Sequence, residues 1–154
     1  MWLDGRPIHA HVQAPSNHSL EYDAFRQLYE RPYLAYARLR TGDAGRAAQA
    51  VAEAFTALSS RWAEALRSEC LAADAWNILN TAVGVAAECR PGGSQRRCHL
   101  TTVQADAVRL HHRLGLTLQD TAALMGTDDH TVRAALSSAA RTVCPASTCP
   151  LGPL

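Results

Sequence analysis

The chain has 154 residues, 47% hydrophobic and 19% charged, with a formal net charge of +1. That length holds one domain or two small ones and excludes a TIM barrel, and the apolar fraction argues against wholesale disorder. No apolar run approaches the roughly 20 residues of a bilayer span. The charged, histidine-containing stretch 1–12 does not read as a signal peptide. The expectation is a cytoplasmic protein without membrane contact. All 15 basic residues are arginine, and alanine and leucine dominate over isoleucine, valine, phenylalanine and tyrosine. That balance favours helices over strands. An odd count of 5 cysteines, without an export signal, argues against a disulfide framework.

Residues 1–19, with Pro7, Pro15, Ser16 and Asn17, read as a loose tail. Helical periodicity starts at Leu20, with Phe25, Leu28 and Tyr29 at i, i+3 and i+4. Pro32 is expected to interrupt this helix, which resumes over 34–39. Gly42 then suits a helix C-cap and Asp43 the next N-cap. A long alanine-rich helix follows, carrying Val51, Phe55, Leu58 and Trp62 on one face, and another covers 72–88 with Trp76, Leu79, Val83 and Ala87. The run Arg90, Pro91, Gly92, Gly93, Ser94, Gln95, Arg96, Arg97 has a linker's composition. Linker residues 90–99 thus divide 20–89 from 100–143. A linker this short also predicts that the two lobes pack on each other.

Past the linker, Val103, Ala107, Leu110 and Leu114 mark an amphipathic helix that Gly115 ends. A short helix over 118–125 stops at Gly126. Asp128 can cap a third helix with Val132, Leu136, Ala139 and Val143 inside. Residues 144–154, with three prolines, form a second tail. A short helix, a glycine turn and a capped helix are the layout of a helix-turn-helix, and equally of an ordinary three-helix bundle. The expected fold class is all-α: two small helical domains, the second carrying this turn.

Here the residues carry a resemblance. Leu100, Gln104, Leu110, Gly115, Leu116, Thr117, Asp120, Ala122, Leu124, Met125, Gly126, Thr131, Val132, Arg133, Leu136 and Ala139 resemble, without a gap, region four of the extracytoplasmic-function sigma factors. Phe25, Leu28, Tyr29, Thr41, Gly42, Asp43, Ala47, Val51, Glu53, Phe55, Trp62, Ala75 and Trp76 resemble region two, compressed by about one helical turn around Pro32. The resemblance implies a bacterial transcription regulator that meets core RNA polymerase through the first lobe and promoter DNA through a recognition helix at 129–142. On this basis His130, Thr131, Arg133, Ser137 and Arg141 are the candidate DNA contacts. Gln49, Glu53, Phe55 and Trp62 are the candidate polymerase or partner contacts.

The charge departs from that pattern. Residues 100–143 carry Arg109, Arg113, Arg133 and Arg141 against Asp106, Asp120, Asp128 and Asp129. Phosphate affinity comes from excess positive charge, and this segment has none. Residues 20–88 hold seven arginines and nine acids. Their helix after Trp76 lacks any basic residue, where the family melts promoters with asparagine and arginine. The excess positive charge sits at Arg6, Arg90, Arg96 and Arg97. The linker spans at most roughly 36 Å, against on the order of 70 Å between two promoter elements two DNA turns apart. The expectation is a sigma-like regulator working through core RNA polymerase, another transcription factor or an anti-sigma protein, with promoter DNA bound weakly or with a partner. The alternative is an active extracytoplasmic-function sigma factor.

No cofactor or metal is expected. Cys70, Cys89, Cys98 and His99 contain no Cys-x-x-Cys pair, and free thiols are the simpler reading. Cys144 and Cys149 can close a loop only incidentally. Of His111 and His112, one must point outward. No phosphate loop, nucleophile elbow or paired-histidine motif suggests an enzyme.

Overall fold

A computed structural model describes residues 19–88 and 100–143. Among the described residues all regular structure is helical, and no helix is long and apolar enough to cross a membrane. The two tails, the linker and four of the cysteines (Cys89, Cys98, Cys144 and Cys149) lie outside those residues, as does His99.

Helix α1 (Leu20–Thr41) starts at Ser19, whose hydroxyl accepts the Tyr22 amide, and ends at Gly42, whose amide bonds the Arg38 carbonyl. Glu21 and Asp23 in its first turn and Arg38 and Arg40 in its last complement the helix dipole. Pro32 does not interrupt it: α1 runs straight through as one helix. The proline removes one amide, leaving the Leu28 carbonyl without that donor. Leu28 is 70% exposed, so that carbonyl lies on the water side of the helix.

Helix α2 (Ala44–Ser60) is capped by Asp43, which accepts the Arg46 amide at 2.7 Å. It buries Ala47, Ala50, Val51, Ala54, Phe55 and Leu58. The small alanines let α1 and α4 approach closely. Where one face through Trp62 was expected, the helix breaks at Arg61, and Trp62 opens the short α3 (Trp62–Ala65). The break turns Trp62 back over α1, edge-on to Tyr22 at 5.3 Å and tilted on Phe25 at 5.7 Å. Helix α4 (Leu71–Glu88) buries Trp76, Leu79 and Val83 against α1 and α2.

Helix α5 (Thr102–Val108) opens with a capping box. Gln104 donates its amide to the Thr101 hydroxyl, and its side-chain oxygen accepts the Thr101 amide. The expected single helix to Leu114 instead widens into a π turn, Arg109–Arg113, closed by the Leu114 amide on the Arg109 carbonyl. Val103, expected in the core, is 46% exposed, while Ala107 and Leu110 are fully buried. Thr117 caps α6 (Leu118–Met125), Gly126 closes it with φ 67°, and α7 (Asp129–Val143) follows. Asp128 caps α7 by accepting the Thr131 amide at 2.7 Å.

The two described stretches pack on each other. Helix α6 lies on α4, and the π turn touches α1, so one continuous core runs from Tyr22 to Ala135. The α6–α7 turn seats on the first turn of α4. A Cβ at Gly126 would fall 2.1 Å from the Ala73 amide nitrogen, so only glycine fits there.

Candidate functional site

Helices α6 and α7 form the turn expected from the sequence. Ala122, Leu124 and Val132 are buried between them, and Ala135 and Ala139 continue the inner face of α7. The outer face follows from helical spacing. His130, Arg133, Ser137 and Arg141 are all exposed. Along 15 residues this face runs about 22 Å. Thr131 is half-buried and turned inward, its hydroxyl donating to Asp128 at 3.0 Å. Four of the five candidate nucleic-acid residues therefore share one open face, and the fifth serves the helix cap.

The electrostatics of that face are mixed. The start of a helix attracts anions through its unpaired amides, which would help Arg133 hold a phosphate. The Asp128 carboxylate has taken one of those amides. The amide and hydroxyl of Thr131 hold Asp128 below the usual aspartate range, so it stays ionised. Asp129 adds a second carboxylate one residue on. Two carboxylates therefore stand beside Arg133 at this end of α7 and oppose an incoming phosphate. Behind the face, Gln104 donates to the Ser138 hydroxyl at 2.9 Å and fixes α7 on α5.

The candidate partner residues divide. Gln49 and Glu53 are exposed and joined, the Gln49 amide donating to the Glu53 carboxylate at 3.0 Å. They rim a groove of about 250 Å³ between α2 and α4 together with Arg46, Ala82, Val85 and Ala86. Val85 is 61% exposed there, an apolar residue that helical periodicity alone did not single out. Phe55 is corrected: it is 2% exposed, stacks on Tyr33 and belongs to the core, so it cannot meet a partner. Trp62 is half-buried between the rings of Tyr22 and Phe25, which it helps to pack, with the rest of its surface open.

Sequence reasoning missed a polar cluster where the two stretches meet. Asp106, 1% exposed, is the only buried carboxylate among the described residues. It accepts from the Tyr36 hydroxyl at 2.6 Å, from the Asn80 amide at 3.0 Å and from Arg109 at 3.1 Å. Tyr36 also lies 2.6 Å from the Asn80 carbonyl oxygen, but its single proton favours the ionised acceptor. Arg40 completes the cluster, donating to the Tyr36 oxygen at 2.8 Å and to Asn80 at 3.3 Å. Burial first, then the Asp106 charge, push the Tyr36 hydroxyl above its ordinary range, so it remains a donor. One signal was available: Asp106 sits three residues after Val103 and four before Leu110, on the stripe read as apolar.

His111 is half-buried with Nδ1 2.7 Å from the Leu116 carbonyl oxygen, and His112 is exposed. Among the described residues no group of three or more histidines, cysteines or carboxylates gathers. No protein-family model, no curated protein and no solved structure matches this chain.

Proposed function

We propose that this chain is a sigma-factor-like transcription regulator that acts through RNA polymerase or a transcription-factor partner, with weakened direct contacts to promoter DNA. The observation that carries this reading is the α6–α7 unit. It has the caps and the open outer face of a reading head, yet that face offers only Arg133 and Arg141 as arginines, and its first turn carries the carboxylates of Asp128 and Asp129. Counterion release from phosphate scales with the number of cations brought to DNA, and two cations supply little of it. The groove at Gln49, Glu53 and Val85 combines a carboxylate with exposed apolar surface, a combination suited to a protein partner carrying an arginine.

The test is comigration of the purified chain with core RNA polymerase, with and without promoter DNA. Comigration without DNA supports the reading. Failure to bind polymerase, together with tight binding to DNA alone, refutes it. The open face of α7 also favours a second reading, an active extracytoplasmic-function sigma factor. Promoter-specific initiation by core polymerase supplied with this chain would establish that reading instead.

A further inference from the structure

The cluster around Asp106 has an uncommon division of partners. Breaking a buried ion pair is costly chiefly because one charge is left without a counter-charge. Here separation of the two stretches orphans neither side. Asp106 keeps Arg109, three residues along its own stretch and 31% exposed at the side chain, so already in touch with water. Tyr36 and Asn80 keep Arg40, which bonds both from the first stretch. Within the cluster, the bonds that cross the seam are the two that Asp106 accepts from Tyr36 and Asn80; apart from it, the exposed Cys70 thiol donates weakly to the Gly126 carbonyl at 3.5 Å.

Each side also retains an apolar interior of its own. Tyr33, Phe55, Leu58, Leu79 and Val83 stay together in the first stretch, and Ala107, Leu110, Val132 and Ala135 in the second. What the seam adds is shape: the Gly126 turn fits onto α4 with no space for a methyl group.

We propose that Tyr36, Asn80 and Asp106 form a latch between residues 19–88 and 100–143, and that α5, α6 and α7 leave α4 as one unit when it opens. Opening hydrates polar groups that each carry their own arginine. It opens the cleft lined by Trp76, Asn77, Met125 and Thr131. The latch rests on the geometry of the seam and stands independently of the transcriptional reading.

The test is site-resolved thiol labelling of the full chain, read by mass spectrometry. Met125→Cys reports on the seam, and Val51→Cys reports on the interior of the first stretch, where Val51 is 2% exposed. Adding Tyr36→Phe removes the crossing hydroxyl and keeps the ring on Trp76. It is expected to speed labelling at position 125 about tenfold, the shift expected of one lost hydrogen bond to a charged group, and to leave position 51 unchanged. Asn80→Ala removes the other crossing bond at a half-buried site and is expected to give the same pattern, which decides the matter should the Tyr36 variant fold poorly. Unchanged labelling at 125 overturns the proposal. So does an equal acceleration at 51 and 125, because the seam and the interior would then open in one cooperative step.

Discussion

Gly115 and Gly126 share a backbone conformation, with φ of 70° and 67°, and differ in what surrounds them. A methyl group at 115 meets nothing within 4 Å, whereas at 126 it would fall 2.1 Å from the Ala73 nitrogen and 2.5 Å from its Cα. Alanine in the left-handed region costs about 1 to 2 kcal/mol at either site. Only at 126 does overpacking add about 1 to 3 kcal/mol. The obstacle there is main chain in the first turn of α4, which has no rotamer to change. Gly115→Ala is therefore expected to lose about 1 kcal/mol and Gly126→Ala about 3 kcal/mol. Urea denaturation at matched m-values measures both. For a chain of this size each kcal/mol lowers Tm by about 2 to 4 °C, so the pair should also separate on heating. Costs that agree within about 0.5 kcal/mol would show that the turn does not seat on α4 in solution.

Glu53→Arg is expected to change stability by less than about 0.5 kcal/mol, because the carboxylate is exposed; a pull-down should show weakened binding to polymerase or a substitute partner, and a stable mutant that keeps every partner removes the groove from the mechanism. Binding of the chain to a promoter duplex at physiological salt is expected to be weak, with Arg133→Ala abolishing most of it; a nanomolar Kd in a mobility-shift titration contradicts this. The α7 cap is expected to fail in acid. Asp128 has its value depressed in the folded state, so its contribution is complete above the unfolded value and disappears as pH falls through the depressed one. The Thr131 amide resonance, followed from neutral pH downward, should move through that window, and a resonance that stays fixed to the lowest pH at which the chain is folded sinks the assignment.

Helix ends were the most legible part of this chain because their chemistry is local. Gly42 followed by Asp43, and Gly126 followed by Asp128, each place a left-handed residue and a side-chain acceptor within one turn, and the structure uses both pairs so. Pro32 misled for the opposite reason: its penalty is local, but α1 is held by packing on both sides of it, with Phe25 before and Tyr33 and Tyr36 after. Val103 and Leu28 lie on apolar periodicities and end in water: Leu28 sits on the outer side of the unbroken α1, and Val103 is in the first turn of α5. The outer residues of α7 rest on the family resemblance, a set that includes the half-buried Thr131; helical spacing of Val132, Leu136 and Ala139 marks only the inner face. The cluster at Tyr36, Asn80 and Asp106 joins residues 44 and 70 positions apart, and no local rule reaches that far.

The alanines under α2 bear on how this sequence can drift. Ala47, Ala50 and Ala54 are 0%, 1% and 4% exposed, and the neighbouring helices close on them. Every alanine codon is a single base from valine and from threonine, both larger and both branched at the β-carbon. Either replacement overfills a site that has little slack, at about 1 to 3 kcal/mol, and threonine adds a hydroxyl in need of a partner. The third frequent neighbour, glycine, leaves a void and loosens the helix. Valine, threonine and glycine, each one base away, all destabilise here, so the packed face of α2 is a stretch of the gene where coding change is poorly tolerated.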